Sequence, residues 1–123
     1  MKRNNSTEDY LKCILILDLR KGYVRAVDIA QELGVTKPSV SVAMKRLKET
    51  ELIYTDKNGY ICLTDSGREL AEKVNRKHSL ITKFLIGIGV NERVASKEAC
   101  LIEHDIGEET YERLEALYER GLS

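Results

Sequence analysis

Cys100, Glu103 and His104 are the residues whose types and spacing point most directly to chemistry in this 123-residue chain. They stand at positions i, i+3 and i+4, so a helix presents all three side chains on one face. A thiolate, a carboxylate and an imidazole are ligand types that hold divalent first-row metal ions. The triplet therefore predicts a metal site, and an accidental grouping on a solvated acidic helix is the alternative.

Two further residues could complete such a site. His78, the other histidine of the chain, falls at a predicted helix junction, and Asp9 falls in the first turn of a predicted N-terminal helix. A catalytic role for Cys100 beside His104 is disfavoured, because the sequence offers no glycine-rich loop and no third orienting group. We therefore expect no enzyme. A thiolate in a metal site is nevertheless oxidisable, so redox sensing through Cys100 stays open.

The segment from Val24 to Leu63, which these candidates flank, has the pattern of a winged helix-turn-helix. Gly34 suits the end of a first short helix, because glycine readily takes the positive φ found there. Thr36 is a natural N-cap for the next helix, and Pro38 suits its first turn. An αα-hairpin packed for structure alone is the alternative.

The second helix of this segment has two distinct faces. Val40, Met44 (or Ala43) and Leu47 recur at helical spacing and are expected to face the core. The opposite face begins with small residues and continues with cations: Lys37, Ser39, Ser41, Val42, Lys45, Arg46 and Lys48. Small side chains allow close approach to base edges and cations meet phosphates, so this face predicts contact with a DNA major groove.

A hairpin follows the second helix and would form the wing. Ile53–Thr55 and Tyr60–Leu63 are β-prone runs, and the Asn58-Gly59 pair between them predicts a type I′ turn. Lys57 at the tip of this wing is a candidate contact to a DNA phosphate.

The charge of the chain is unevenly distributed. Its net charge is zero, but residues 1–91 carry 16 basic and 11 acidic residues, whereas residues 92–123 carry 4 and 9. This asymmetry predicts a basic DNA-binding part and an acidic part with a second function. A merely solvated acidic helix would give the same balance.

The composition also limits where the chain works. No apolar run approaches the roughly 20 residues of a membrane helix, and the polar stretch Met1–Thr7 does not resemble a signal peptide. Three cysteines without a CxxC pair argue against a disulfide framework and favour a reducing compartment. We expect a cytoplasmic protein with no membrane partner.

Helical patterns continue beyond the wing, which is more helix than a DNA-binding head requires. The surplus apolar stripes favour a homodimer, which would set two recognition helices about 34–36 Å apart on one face of DNA. Packing of these stripes on the first helix is the alternative. The predicted fold is mainly α, with a winged helix-turn-helix and its two-stranded wing at residues 1–75. A helical dimerisation and metal-binding domain is predicted at residues 76–123.

Several short blocks between Thr7 and about Leu117 carry a family resemblance. They are Glu8-Asp9-Tyr10-Leu11, Asp28-Ile29-Ala30 with Leu33, Pro38-Ser39-Val40-Ser41, Leu63-Thr64 with Gly67, Arg76-Lys77-His78, and Glu98-Ala99-Cys100 with Glu103-His104. With these blocks at this spacing, the chain resembles the diphtheria-toxin-repressor family of metal-dependent transcriptional regulators, which has iron-responsive and manganese-responsive branches. The resemblance implies a short form, without the SH3-like domain of the longer members.

The resemblance also implies that a metal ion binds between the N-terminal helix and the later helices, closing a dimer into a DNA-binding shape. Asp9 stands where the manganese branch has an aspartate ligand, and Cys100 stands where the iron branch has a cysteine. His78, Glu103 and His104 match ligand positions of the family. We expect one strong site, built from Asp9, Cys100, Glu103 and His104, with His78 close by or contributing.

A second metal site is not expected from the resemblance. Lys12 replaces a glutamate of the second site in the manganese branch, and Thr82 and Ser96 stand where the iron branch has ancillary ligands. We expect the ammonium group of Lys12 to reach solvent rather than the metal site.

These patterns predict a metal-dependent transcriptional regulator, a repressor that binds double-stranded operator DNA as a homodimer when Fe(II) or Mn(II) is bound. The thiolate suits Fe(II), Co(II), Zn(II) or Ni(II) better than Mn(II), and availability in the cell selects among them. We expect Fe(II), with Mn(II) next. A metal-independent or thiol-redox-sensing winged-helix regulator is the alternative. The resemblance and the wing tip together give the DNA-facing candidates: Arg25, Thr36, Lys37, Pro38, Ser39, Ser41, Lys45 and Lys57.

Overall fold

A computed structural model describes residues 7–121, and the N-terminal segment on which the signal-peptide expectation rests lies almost wholly outside them. The elements in chain order are α1 (Thr7–Lys21), α2 (Ala26–Leu33), α3 (Lys37–Glu49), β1 (Ile53–Thr55), β2 (Ile61–Leu63), α4 (Asp65–Gly87), α5 (Glu92–Asp105) and α6 (Glu108–Glu119). The predicted mainly α fold with a two-stranded wing is confirmed.

The chain divides into two compact units between Lys73 and Val74, within α4. The predicted domain boundary after residue 75 stays a prediction, because compactness alone does not show that either part folds independently. Among residues 7–121, no helix is both long enough and apolar enough to span a membrane.

The first unit is built around the buried side chains of α1. Leu11, Ile14 and Leu17 of α1 are almost fully buried in one cluster with Ile29 of α2 and Leu47 of α3. Burying a side chain of this size is worth about 1.5–3 kcal/mol before the cost of ordering it. This core holds the two helices of the helix-turn-helix against α1.

Local caps set the turn between α2 and α3. Gly34 follows α2 with a φ of 67°, and the amide of Val35 donates to the carbonyl of Ala30. The hydroxyl of Thr36 accepts a hydrogen bond from the amide of Ser39 at 3.3 Å and so caps α3. The predicted glycine turn and threonine cap are therefore confirmed.

β1 and β2 form the antiparallel wing, with Ile53 opposite Leu63 and Thr55 opposite Ile61. The amide of Ile61 also donates to the carbonyl of Val24 at 2.8 Å. This bond ties the wing to the segment between α1 and α2. The second strand is one residue shorter than predicted.

The loop at the wing tip differs from the predicted type I′ turn. Asn58 does not take a positive φ, and only Gly59 does, at 83°. The amide of Gly59 donates to the carbonyl of Asp56, while the Asp56 carboxylate accepts from the amides of Asn58 and Tyr60 at 2.9 Å each. The type I′ prediction is wrong because this aspartate stabilises an alternative turn with its side chain.

The second unit contains the later part of α4 together with α5 and α6. Its buried residues include Val74, Ile81, Ala95, Ala99, Glu103 and Tyr111. α4 continues as one helix through His78 and Ser79, so the predicted helix junction at His78 is wrong. The side-chain oxygen of Asn91 accepts from the amides of Arg93 and Val94, which caps α5 as predicted.

Candidate metal centre and DNA-binding face

Two helices of the second unit carry four of the five predicted ligands. His78 lies on α4, whereas Cys100, Glu103 and His104 lie on α5. Because α5 runs without interruption, the i, i+3, i+4 spacing puts its three candidates on neighbouring positions of one face, as expected.

The carboxylate of Glu103 lies between two imidazoles. Its Oε2 atom is 3.2 Å from Nδ1 of His78, and its Oε1 atom is 3.6 Å from Nε2 of His104. The Sγ atom of Cys100 is 3.6 Å from the same Nδ1 atom of His78. Glu103 is only 1% exposed, although glutamates are rarely buried so completely unless they are paired or bound to a metal.

This arrangement fits a divalent metal ion. One ligand atom each from His78, Cys100 and Glu103 lies within 4.8 Å of the other two. Metal–ligand bonds are about 2.0–2.3 Å long, so atoms that share one ion lie within about 4.5 Å of one another. The sulfur, nitrogen and oxygen donors are also the set that first-row transition metals accept. Small side-chain movements suffice for this group to hold an ion.

Asp9 and Lys12 lie in the first unit. Asp9 is half-buried in the first turn of α1, where the positive end of a helix favours an acidic residue in any case. The expectation that the ammonium group of Lys12 reaches solvent stays a prediction, because exposure of the whole residue does not locate that group, but Lys12 is only 8% exposed. Its exposure is low because α1 is buried on nearly all sides from Tyr10 to Leu15.

The two positions of the ancillary site carry no strong metal ligand. The hydroxyl of Thr82 donates to the carbonyl of His78 at 2.8 Å, within α4. Ser96 is exposed on α5. Neither residue offers an imidazole or a carboxylate, and the expectation of a single site stays a prediction.

Lys77 is a residue of this region that the spacing argument missed. Its Nζ atom is 3.4 Å from the carbonyl oxygen of Glu103 and 5.9 Å from the ring centroid of Tyr111. Lys77 therefore joins α4 to the backbone of α5 at a candidate ligand, and it also contacts α6. Its place directly before His78 in a matching block was the available signal.

The three cysteines differ in their surroundings, although all are free thiols. Burial, with Glu32 nearby as a second cause, raises the pKa of the Cys13 thiol to about 12. That thiol therefore stays protonated and unreactive at neutral pH. Cys62 and Cys100 are partly exposed. The thiol-redox alternative, which concerns Cys100, stays a prediction.

α3 presents the predicted DNA-binding face. Val40, Met44 and Leu47 are its buried residues, as the helical periodicity predicts. The candidates for DNA contact are all exposed: Arg25, Thr36, Lys37, Pro38, Ser39, Ser41, Lys45 and Lys57. Exposure is necessary for contact with DNA but does not test it, so these contacts stay predictions.

Asp28 holds one of these candidates in place. Its carboxylate accepts hydrogen bonds from Nζ of Lys21 at 2.7 Å and from the amide of Arg25 at 3.0 Å. It also accepts from Nε and Nη2 of the Arg25 guanidinium at 3.3 Å each. The Lys21 ammonium and the Arg25 guanidinium lower the pKa of the Asp28 carboxyl to about 2. This role of Asp28 was not predicted, although an acid three residues after the N-cap is a capping signal.

Two family models match complementary parts of the chain. Residues 4–60 match the model described as "Iron dependent repressor, N-terminal DNA binding domain", and residues 64–120 match "Iron dependent repressor, metal binding and dimerisation domain". The transcriptional regulator MntR of Escherichia coli O6:H1 is 34% identical over 108 residues, covering 88% of this chain and 70% of that protein. The chain belongs to the iron-dependent repressor family.

Further relatives extend this assignment. The HTH-type transcriptional regulator MntR of Geobacillus kaustophilus is 34% identical over 109 residues, covering 89% of this chain and 77% of that protein. The solved structure of T. acidophilum IdeR has a TM-score of 0.84 at 32% identity, covering 96% of this chain and 56% of that one. The structure of the manganese regulator SloR has a TM-score of 0.85 at 32% identity, covering 95% of this chain and 55% of that one. The chain thus spans little more than half of these two solved chains.

The matches confirm both the family resemblance and the fold. The iron-dependent repressor family and its curated relatives are transcriptional regulators rather than enzymes. Asp9 and α3 fall in the part that matches the DNA-binding model. His78, Cys100, Glu103 and His104 fall in the part that matches the metal-binding and dimerisation model.

Proposed function

We propose that this chain is a metal-activated repressor that binds operator DNA as a homodimer. The metal site we propose consists of Asp9, His78, Cys100, Glu103 and His104. The observation that carries the proposal is the convergence of His78, Cys100 and Glu103 in the second unit, with the carboxylate 1% exposed. Membership of a family with a metal-binding and a DNA-binding domain supports the same function.

The ligands of α4 and α5 would bind the ion through one thiolate, one carboxylate and two imidazoles. The ion supplies positive charge that offsets the carboxylate and thiolate at close range. Glu103 is the central residue, because its two oxygens face His78 on one side and His104 on the other. His78 is therefore proposed as a full member of the site rather than a neighbour.

Asp9 enters the proposal through the family resemblance and supplies the ligand from α1. Two carboxylates repel each other, and an ion that binds both Asp9 and Glu103 would offset this repulsion. An ion that binds both favours the conformation in which they share it, and the population shifts toward that conformation. This is the step that would couple metal occupancy to DNA binding.

Fe(II) is the metal we propose first, and Mn(II) second. A thiolate is a softer ligand than a carboxylate, and a mixed nitrogen, oxygen and sulfur site binds Fe(II) more tightly than Mn(II). Relatives named as manganese regulators support Mn(II) as the competing ion. Availability in the cell, rather than affinity alone, selects between the two.

A homodimer would cover apolar surface that the second unit leaves exposed. Its exposed large apolar residues include Ile86, Ile88, Val94, Leu101 and Leu117. A two-fold dimer would present two copies of α3 to successive major grooves. We propose that this dimer acts in the cytoplasm, where the bacterial chromosome lies.

Calorimetric titration of the purified protein with Fe(II) under anaerobic conditions, and with Mn(II), tests the metal site. We expect Glu103→Gln to weaken binding of both ions by at least about tenfold, since it removes the charged ligand at little cost in volume. Glu98→Gln is the matched control, because Glu98 is an exposed glutamate on the same helix. Equal affinity of the wild type and Glu103→Gln would contradict the proposed site.

A further inference from the structure

Val42 is an exposed apolar residue at the centre of the DNA-binding face of α3. It is two residues from Val40 and two from Met44, both buried, so it points directly away from the core. Its residue surface is 60% exposed. Its neighbours one helical turn away are Pro38 and Ser39 toward the N-terminus and the cations Lys45 and Arg46 toward the C-terminus.

The fold itself gives little reason for a valine at this position. A β-branched side chain loses rotamer freedom in a helix, and lysine, glutamine or alanine would favour α3 by a few tenths of a kcal/mol. An exposed valine also leaves apolar surface in contact with water. The other exposed residues of this face are polar, small or charged.

We propose that Val42 determines operator specificity by contacting the 5-methyl group of a thymine in each half-site. This inference rests on the proposed function, since it requires α3 to enter the major groove. A valine side chain has no hydrogen-bond donor or acceptor, so it cannot read the polar edge of a base. The thymine methyl group is the apolar feature that the major groove displays.

The surroundings of Val42 favour such a contact. Ser39 and Ser41 are short, so they leave room for a base edge to approach the helix. Lys45 and Arg46 carry charge toward the C-terminal side, where phosphates would position the helix. The branched side chain of Val42 has one strongly preferred rotamer, so its methyl groups are already placed before DNA binds.

The test uses operators selected from a random DNA library by the wild-type protein in the presence of Mn(II). In a selected operator, each thymine is replaced in turn by deoxyuridine, which lacks only the 5-methyl group. Retardation assays then compare the wild type with Val42→Ala on each DNA. Leu19→Ala is the control, since Leu19 is an exposed apolar residue on α1 with 72% of its surface accessible.

We expect one thymine in each half-site to be sensitive to the replacement. A single deoxyuridine at such a position should weaken wild-type binding about three- to fivefold, as loss of one buried methyl group does. Val42→Ala should be insensitive to that replacement, and Leu19→Ala should keep the sensitivity. Insensitivity of the wild type at every thymine would overturn the inference, as would undiminished sensitivity in Val42→Ala. Retardation without metal would contradict the proposed function. The comparison of the thymine and deoxyuridine operators would still decide the role of Val42. Wild-type protein that retards no DNA would overturn both.

Discussion

Nδ1 of His78 on α4 lies 3.2 Å from Oε2 of Glu103 on α5. The contact joins two helices through an imidazole and a carboxylate, both of which can bind transition metals, and Cys100 lies 3.6 Å from the same imidazole nitrogen. In the metal-free chain it is an ion pair whenever His78 is protonated. The same atoms could instead bind a divalent ion. The buried carboxylate of Glu103 can thus either pair with His78 or serve as a metal ligand.

The thiolate of Cys100 is the ligand most easily followed by spectroscopy. We expect Co(II) bound to the wild type to show a thiolate-to-metal charge-transfer band, because the sulfur would bind the ion directly. Cys100→Ser should lose this band, and its affinity for Fe(II) should fall more than its affinity for Mn(II). Cys62→Ser is the control and should keep the band, since Cys62 lies on β2 in the wing. A band that survives in Cys100→Ser would show that this thiol is not a ligand.

Asp28 makes the first unit sensitive to acid. Its folded pKa is lowered to about 2 by Lys21 and Arg25, below the roughly 3.9 of an unfolded aspartate. The carboxylate therefore stabilises the fold above about pH 4, and this stabilisation is lost as the pH falls through about 2. Allowing for the partly exposed cations, we expect Asp28→Asn to lower the free energy of unfolding by about 1–2 kcal/mol at pH 7.

Urea denaturation at a series of pH values checks this prediction. The difference in the free energy of unfolding between the wild type and Asp28→Asn should shrink as the pH is lowered from 4 toward 2. Glu69→Gln, an exposed substitution on α4, is the control and should change stability little. A difference that does not vary with pH would show that the loss comes from packing rather than from charge.

Glu51 follows α3 in a conformation that favours glycine. Its φ is 58°, and the amide of Leu52 donates to the carbonyl of Leu47, which closes the C-terminal cap of α3. Glu51→Gly should therefore stabilise the protein by about 0.5–1 kcal/mol, because the left-handed conformation costs other residues roughly that much. Thermal unfolding followed by circular dichroism measures the change.

The matched control for this change is Glu49→Gly, two residues earlier and within α3. There the backbone is helical, so glycine should destabilise by about 0.5–1 kcal/mol. The two substitutions are thus predicted to change the stability of the protein in opposite directions. Destabilisation by both would mean that the backbone at Glu51 is not strained.

Lys57 at the wing tip should contribute to DNA affinity without contributing to sequence preference. Each phosphate contact adds about 0.9 to the magnitude of the slope of log K against log salt concentration. A dimer that loses both copies of the Lys57 contact should therefore have a slope smaller in magnitude by about 2. Lys57→Gln should therefore weaken binding to selected and random DNA alike. Lys83→Gln, an exposed change on α4, is the control. An unchanged salt slope in Lys57→Gln would show that Lys57 at the wing tip does not contact a DNA phosphate.

Much of the fold could be predicted because its boundaries depend on local hydrogen bonds. Thr36 and Asn91 cap α3 and α5 through their own side chains, and Gly34 takes the positive φ expected of it. The wing turn could not be predicted from its Asn-Gly pair, because the competing acceptor is Asp56, two residues before that pair. The conformation of Glu51 carried no sequence signal, since neither glycine nor asparagine marks it.

The site was only partly predictable from spacing. Helical geometry alone groups Cys100, Glu103 and His104, because all three lie on one helix. The approach of His78 depends on how α4 packs against α5. Its place at a predicted helix junction made it a candidate, and the family resemblance matched it to a ligand position. The burial of Lys12 likewise depends on what surrounds α1, which no periodicity reveals.

The most direct test of the account is retardation of a selected operator by the wild type and by Glu103→Gln, with Fe(II), with Mn(II) and with a chelator. We expect the wild type to retard the operator only when metal is present, and Glu103→Gln to need at least about tenfold more metal or not to respond. Retardation by the wild type that is the same with and without chelator would contradict it.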